Sequence, residues 1–305
     1  MSPDAALHDP VFRAYLGIVV GVLVAAGLVL ALLHFIFRIQ LGSVWKTYRS
    51  WLWLAPLAAF FIFAGRVPFI IGVTAVGLWA ACEFMRVSEL AADRLMSSAV
   101  YCGIVLVGIA ALFDRSFASI LAFVIVLLLL VPVVRNRFEG EIRKLSLGMI
   151  AFVLAGWMWG HLGLFANSSH AYGYLCYLIF ATEVTDVAAF TFGKILGRHP
   201  LRSEISPRKT WEGALGALVV AMLLPWLLRF SFPFFGPLQL ILTGLIVGIG
   251  GTLGDLSLSL LKRDLGTKDW GNAIPGHGGV FDRIDSLIFV APLFMLMTAY
   301  YYPGR

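Results

Sequence analysis

From Ser259 to Asp285 the chain reads SLLKRDLGTKDWGNAIPGHGGVFDRID. Acids, lysines and arginines crowd there, in a protein that is 60% hydrophobic and only 13% charged. Charge in so apolar a chain is costly, so a cluster of it reads first as a functional site. Asp255, Ser259 and Lys262 are spaced four and three apart. At ~100° per residue these three fall within ~60° of one another on a helix. One face therefore offers an acid, a hydroxyl and an amine, with Arg263 beside them. An internal Asp255–Lys262 salt bridge would account for two of these groups, but not for the charges further along the chain. Lys268 and Asp269 come next, then three glycines around His277, a loop able to approach a ligand closely. Asp282, Arg283 and Asp285 close the stretch, the two acids three apart at the entry to the last apolar run. Hard carboxylates suit Mg²⁺, which takes one or two protein acids plus substrate phosphates. Lys and Arg beside such acids are the parts of a phosphoryl-transfer site.

Two further stretches carry polar groups. Ser206-Pro207-Arg208-Lys209-Thr210-Trp211-Glu212-Gly213 precedes an apolar helix. Ser206-Pro207 reads as the helix cap, with Pro near the first helical position and Glu212 in the first turn. Arg208 and Lys209 add cations to an end that already favours anions; a basic loop is equally a topology signal. His199 shows no partner and reads as solvated. Glu183 and Asp186 lie three apart in an apolar run and share a helix face. They fit either site acids or partners of a basic residue on a neighbouring helix. Glu83, near the end of another run, reads as an interfacial carboxylate beside Arg86.

The elements that must position these groups are apolar helices. Spanning helices need ~20 mostly apolar residues. Ten runs qualify: 15–37, 51–65, 67–85, 97–113, 117–134, 146–165, 171–193, 211–230, 237–261 and 284–302, the second being the shortest. The sequence thus predicts an all-α polytopic integral membrane protein of about ten transmembrane helices. The first run lacks a basic leader and cleavage site, so it reads as a span, not a signal peptide. Alternating the loops puts eighteen of the 23 Lys and Arg on one side. Such a bias marks the cytosolic side, which holds every candidate site group and leaves both termini outside. It also gives the charge of +6 a topological meaning, so nucleic acid is not needed as a partner. Trp45, Tyr48, Trp51 and Trp53, then Trp157 and Trp159, then Tyr300 to Tyr302, read as interfacial anchors. Cys82, Cys102 and Cys176 lie in apolar runs and read as packed thiols.

The stretch Ser259 to Asp285 closely resembles the signature of the phosphatidate cytidylyltransferases, written S-x-L-K-R-x4-K-D-x-G-x2-I-P-x-H-G-G-V-x-D-R-I-D. Ser206 to Gly213 is similar to a second conserved loop of that family. The resemblance covers roughly residues 180–290 and is generic before them. It implies a membrane enzyme joining CTP to phosphatidic acid, with CDP-diacylglycerol and pyrophosphate as products, in phospholipid biosynthesis. It also implies Mg²⁺, room for a second cation, and a homodimer. Matched residue by residue, it suggests Asp255 and Asp282 as metal ligands, with Asp285 supporting and Asp186 among the acids. Ser259, Lys262 and Arg263 would contact phosphate, and Ser206, Arg208, Lys209 and Thr210 would belong to the substrate loop. Lys268 and Arg283 would be cationic partners, Asp269 part of the catalytic stretch, and His277 a loop or phosphate contact.

One segment departs from the family pattern. Where the family has an A-D-T/S-x-A-Y-like run, this chain reads Thr185-Asp186-Val187-Ala188-Ala189-Phe190, with Glu183 as an extra acid. The departure suggests a divergent subgroup and leaves the lipid partner open. Residues 1–170 read as a membrane and dimer region, and 171–305 as the catalytic region, in a bacterial inner membrane. Two other readings stand beside this one. A cytidylyltransferase or CTP-dependent kinase for another lipid would use the same groups. An ion-coupled transporter would use Glu183, Asp186 and Asp255 as a cation path, but the charged groups crowd at one membrane face and no second polar cluster lines the outer half.

Overall fold

A computed structural model describes residues 1–35, 42–113, 117–136, 138–274 and 278–302. After a short N-terminal helix, Pro3–His8, come ten longer helices. They are α1 (Pro10–Phe35), α2 (Gly42–Ala64), α3 (Arg66–Val87), α4 (Arg94–Phe113) and α5 (Phe117–Arg135). The remainder are α6 (Glu141–Asn167), α7 (Ala171–Leu196), α8 (Trp211–Leu227), α9 (Pro237–Asp264) and α10 (Asp285–Tyr301). Each of the ten apolar runs has become a helix. Among the described residues, seven are long and apolar enough to span a membrane. The other three fall short for physical reasons. α2 carries Lys46 and Arg49 in its opening turns, and α8 and α10 each have 17 residues. The chain is an integral membrane protein, and α1, only 6% buried along its apolar window, is barely covered by the rest of the chain.

The expectation of a purely helical chain needs one correction. Pro200–Arg202 (β1) and Ser206–Thr210 (β2) form a small antiparallel hairpin, with Arg202 opposite Ser206 and Pro200 opposite Thr210. Ser206-Pro207 therefore lies in a strand and does not cap the helix. Thr210 is the cap: its Oγ1 accepts from the Gly213 amide at 3.1 Å. A Thr cap at an extended residue satisfies a helix amide that has no internal partner.

Two separate networks tie the helix ends. At one end, Ser2 bonds Tyr172, Tyr15 bonds Ser231 at 2.8 Å, and the Tyr302 hydroxyl donates to the Phe234 carbonyl. Arg66 donates there to Asn167 and Leu112, and Phe232 stacks on Phe235. Ser2 and Tyr302 both lie at this end. At the other end, Arg135 grips both oxygens of Asp93 at 2.5 Å, and Lys144 joins Asp93 and Glu141. The signature stretch and the hairpin share that charged end.

Some aromatic and thiol expectations change. Trp159 is buried within α6, donating its indole N–H to the Val73 carbonyl at 2.7 Å, and Trp157 stacks on Phe117. Trp159 fills the bundle just after a π-helical turn, Phe152–Met158, which carries the half-buried Trp157. Of the cysteines, Cys176 is buried, whereas Cys102 lies exposed on the helix flank.

Candidate functional site

The glycines of α9 set the site's dimensions. A Cβ on Gly254 would stand 2.4 Å from the Asp285 carbonyl oxygen, and one on Gly248 would stand 2.8 Å from the Leu218 side chain. Small residues here let α9 run close to both α10 and α8. Asp255 thereby arrives beside the start of α10. The turn just before it, Ile246–Gly250, is π-helical, a local irregularity common near functional groups. A similar close approach joins α7 to α8, where a Cβ on Gly213 would meet the Ala189 carbonyl at 2.6 Å. That crossing brings Asp186 towards the same place.

The predicted face of α9 forms, but its partners differ from the expected ones. Ser259 Oγ donates to Asp255 Oδ1 at 3.2 Å, as the spacing predicts. Asp255 does not pair with Lys262. Its other oxygen meets Lys209, reaching over from β2. Arg263 turns outward to the same hairpin, donating from Nε to the Ile205 carbonyl at 3.3 Å. The signature stretch and the hairpin stretch are thus laced together by an ion pair and a hydrogen bond.

Lys262 points to Asp282, with Nζ 2.7 Å from Oδ1. Asp282 is buried, and its Oδ2 accepts from the amides of Trp270 at 3.0 Å and Gly279 at 2.9 Å. The amide bonds fasten Trp270 and Gly279, at the two ends of the loop, to one carboxylate. Gly278 adopts φ +83°, and a Cβ there would stand 2.8 Å from Asp282 Oδ2. At this position the glycine is required by backbone conformation and by the approach of the protein's own acid. Pro275, Gly276 and His277 lie outside the described residues, and His277's expected contact with them.

Asp282 and Asp285, three apart in sequence, face different ways. Asp282 sits in the 3₁₀ turn Phe281–Arg283, while Asp285 opens α10 and lies within electrostatic reach of Asp255, Asp186, Arg283 and Lys262. Asp186 accepts from Ser286 Oγ at 3.2 and 3.3 Å on its two oxygens. Arg283 lies close enough to Glu183 and Asp186 to act on both charges, and its Nε is buried without a hydrogen-bond partner among the described residues. Glu183 and Asp186 thus have a basic residue of a neighbouring segment within electrostatic reach. Lys268 and Asp269 lie exposed on the loop, and Arg208 is exposed on β2.

Two residues read as bystanders are engaged. Glu83 does not sit at an interface beside Arg86. It is 4% exposed, and its two oxygens accept from the amides of Val280 and Phe281. The sequence signal was an acid within an apolar run; its partner, 197 positions away, left no trace in local spacing. His199 pairs with Glu212, Nδ1 to Oε1 at 2.6 Å, and Glu212 also accepts from the Arg198 and His199 amides. This clasp closes the hairpin on the first turn of α8.

The donor set suits a hard divalent cation. Among the described residues, no three acids or imidazoles are near enough to form a closed metal site.

Fold and site together define a polytopic membrane protein with a phosphate-compatible cluster of acids and cations at one end of its helices. The chain belongs to the cytidylyltransferase family, whose model matches residues 45–301. It is 36% identical over 180 residues to a phosphatidate cytidylyltransferase of Staphylococcus haemolyticus, covering 59% of this chain and 68% of that one. A phosphatidate cytidylyltransferase of Staphylococcus saprophyticus is 35% identical over 185 residues, 60% of this chain and 70% of its own. The uncharacterized protein YnbB of Escherichia coli is 42% identical over 124 residues, 41% of this chain and 42% of its own.

Proposed function

We propose that this protein transfers a cytidylyl group from CTP to phosphatidic acid, forming CDP-diacylglycerol and pyrophosphate. The observation that carries the reading is the lacing of the Ser259–Asp285 stretch to the Ser206–Gly213 stretch through Lys209–Asp255 and Arg263–Ile205. Relatives named phosphatidate cytidylyltransferase support the choice of substrates. A lipid phosphomonoester is already largely ionised near neutral pH, its second pKa being near ~6. It can therefore attack the α-phosphorus without a general base. The new bond joins a lipid phosphate oxygen to the α-phosphorus, and the bond from that phosphorus to the oxygen bridging to the β-phosphate breaks. Pyrophosphate leaves with the electron pair.

The work of the site is to hold two polyanions together. Lys209, Lys262, Arg263 and Arg283 are the cations proposed to do so, with Lys268 and Arg208 as outer contacts for incoming phosphates. Thr210 and Ser206 shape the hairpin that brings Lys209 in. Asp255 would give the Mg²⁺ one carboxylate, with Asp285 and Asp186 supporting from the same cluster, and the ion when bound would neutralise phosphate charge. Asp282 already carries three hydrogen bonds and would share Oδ1 between Lys262 and the ion. A second cation would draw on the same acids. The charged end faces the cytosol in this reading, where CTP is found, and the lipid enters sideways from the inner membrane. Residues 171–305 form the catalytic part, and the helices before them the membrane base and the surface of a homodimer.

Detergent-solubilised protein given labelled CTP, Mg²⁺ and a panel of lipid phosphates tests the reading. Labelled CDP-diacylglycerol with phosphatidic acid is expected. A CDP-lipid formed only from another lipid phosphate would move the protein to a different substrate. Label transferred from the γ-phosphate would make it a lipid kinase, and no lipid product at all would sink the assignment.

A further inference from the structure

We infer that Glu83 is a positioning residue for the site: a carboxylate on α3 that sets the loop carrying Asp282 and Arg283. The proposal rests on the cytidylyl-transfer reading for its role, but its geometry stands by itself. Glu83 Oε1 accepts from the Val280 amide at 3.0 Å, and Oε2 from the Phe281 amide at 2.9 Å. Two successive amides thus point at one carboxylate, an anion cradle of the kind backbone turns make. The next two residues in the chain are Asp282 and Arg283. Among the described residues no Lys or Arg forms an ion pair with Glu83, and the backbone amides hold it.

The loop is built around this acid. A Cβ on Gly279 would stand 2.5 Å from Glu83 Oε2, and one on Gly271 would stand 2.8 Å from Oε1. Both glycines leave room for the carboxylate and for little else. Phe84, the neighbouring residue, packs on Trp270 and Phe281 with ring centroids 5.3 and 6.2 Å apart. Residues 83 and 84 therefore clamp both ends of the loop. The order of dependence runs from Glu83 to the amides of 280 and 281, to Asp282, and on to Lys262.

The need for an acid here, and not an amide, comes from the donors. Each oxygen takes one N–H, and a glutamine has only one side-chain oxygen. Its NH₂ would face the second amide, donor against donor. An alanine would leave both buried amides unpaired. The expected series is therefore graded, Glu above Gln above Ala.

The test compares the full-length protein with Glu83→Gln and Glu83→Ala in detergent, by hydrogen exchange over residues 278–284 and by steady-state kinetics. Glu83→Ala should exchange at Val280 and Phe281 roughly ten- to hundredfold faster, with α4 and α5 unaltered. Its kcat should drop by about a hundredfold, with KM for CTP changed by less than about threefold. Glu83→Gln should lie between. If Glu83→Ala fails to fold, Glu83→Gln, nearly the same shape, carries the comparison. Full turnover in the variants overturns the proposal, and so does lost turnover with unaltered exchange at 280–281. If the wild-type protein makes no CDP-lipid, the functional reading fails separately. Exchange alone then decides whether Glu83 holds the loop.

Discussion

Asp282 gives both of its carboxylate oxygens to the protein around it. One meets the partly exposed Lys262 and the other two buried backbone amides. Removing one partner of such a buried pair costs about 3–5 kcal/mol, because the other charge is left alone. Asp282→Asn should therefore lower the melting temperature as well as turnover, the latter by at least about a hundredfold. Lys262→Met should destabilise to a similar degree. The double variant tells the two roles apart. With both charges gone, thermal stability should largely return, since neutral groups replace a costly pair. Turnover should not return, because the cation for phosphate is missing. Restored turnover in the double variant would leave Lys262 and Asp282 with a structural role only.

At the scale of elements, close helix packing decides where the acids stand. Asp255 reaches Asp285 because Gly254 lies against the Asp285 carbonyl. Gly254→Ala puts a methyl 2.4 Å from that oxygen, so α9 and α10 must separate. Overpacking of this sort costs about 1–3 kcal/mol. The variant is expected to melt earlier and to need more Mg²⁺ for half-maximal CDP-lipid formation. An unchanged Mg²⁺ requirement would show that the spacing of α9 and α10 does not set the acid cluster. The hairpin is the other positioning element. It carries Lys209 to Asp255, and its place is held by the His199–Glu212 clasp and the Thr210 cap.

For the whole molecule, the charged end is a network that joins loops distant in sequence. Asp93 anchors one side of it, and hydrogen bonding from Arg135 holds its carboxyl well below the usual carboxylate range. Lowered in the folded state, this group contributes stability that is present above its unfolded pKa of about 3.9. That stability is lost as the pH falls towards the folded value. Asp93→Asn should therefore lower the melting temperature at pH 7, and the gap from wild type should narrow below about pH 4. A gap constant with pH would mean the Arg135 pairing contributes nothing. The other end holds Ser2 and an aromatic cluster, with Tyr302 stacked on Phe235. In intact cells, tags at both ends should be reached only from outside, whereas a cysteine at Lys268 should be labelled only after permeabilisation. A tag reached from the cytosol would invert the topology and remove the site from its CTP supply.

The sequence by itself determined the helices and the stretch in which acids and cations crowd. These were legible because apolar runs, basic loops and the motif at Ser259–Asp285 are local signals, readable within a few turns of chain. It also placed Ser259 against Asp255, since helical spacing alone brings i and i+4 together. Only the tertiary structure decided the partners. Several cations lay within plausible reach of Asp255, and the approach of β2 selected Lys209 over Lys262. The hairpin was hidden because Ser-Pro before an apolar run also reads as a helix cap. Trp157 and Trp159 read as interfacial because their depth in the bundle depends on neighbours, not on their own run. Glu83 was the most hidden of all. Burial beneath a loop almost two hundred residues away turned an apparent surface acid into an acceptor for that loop's amides.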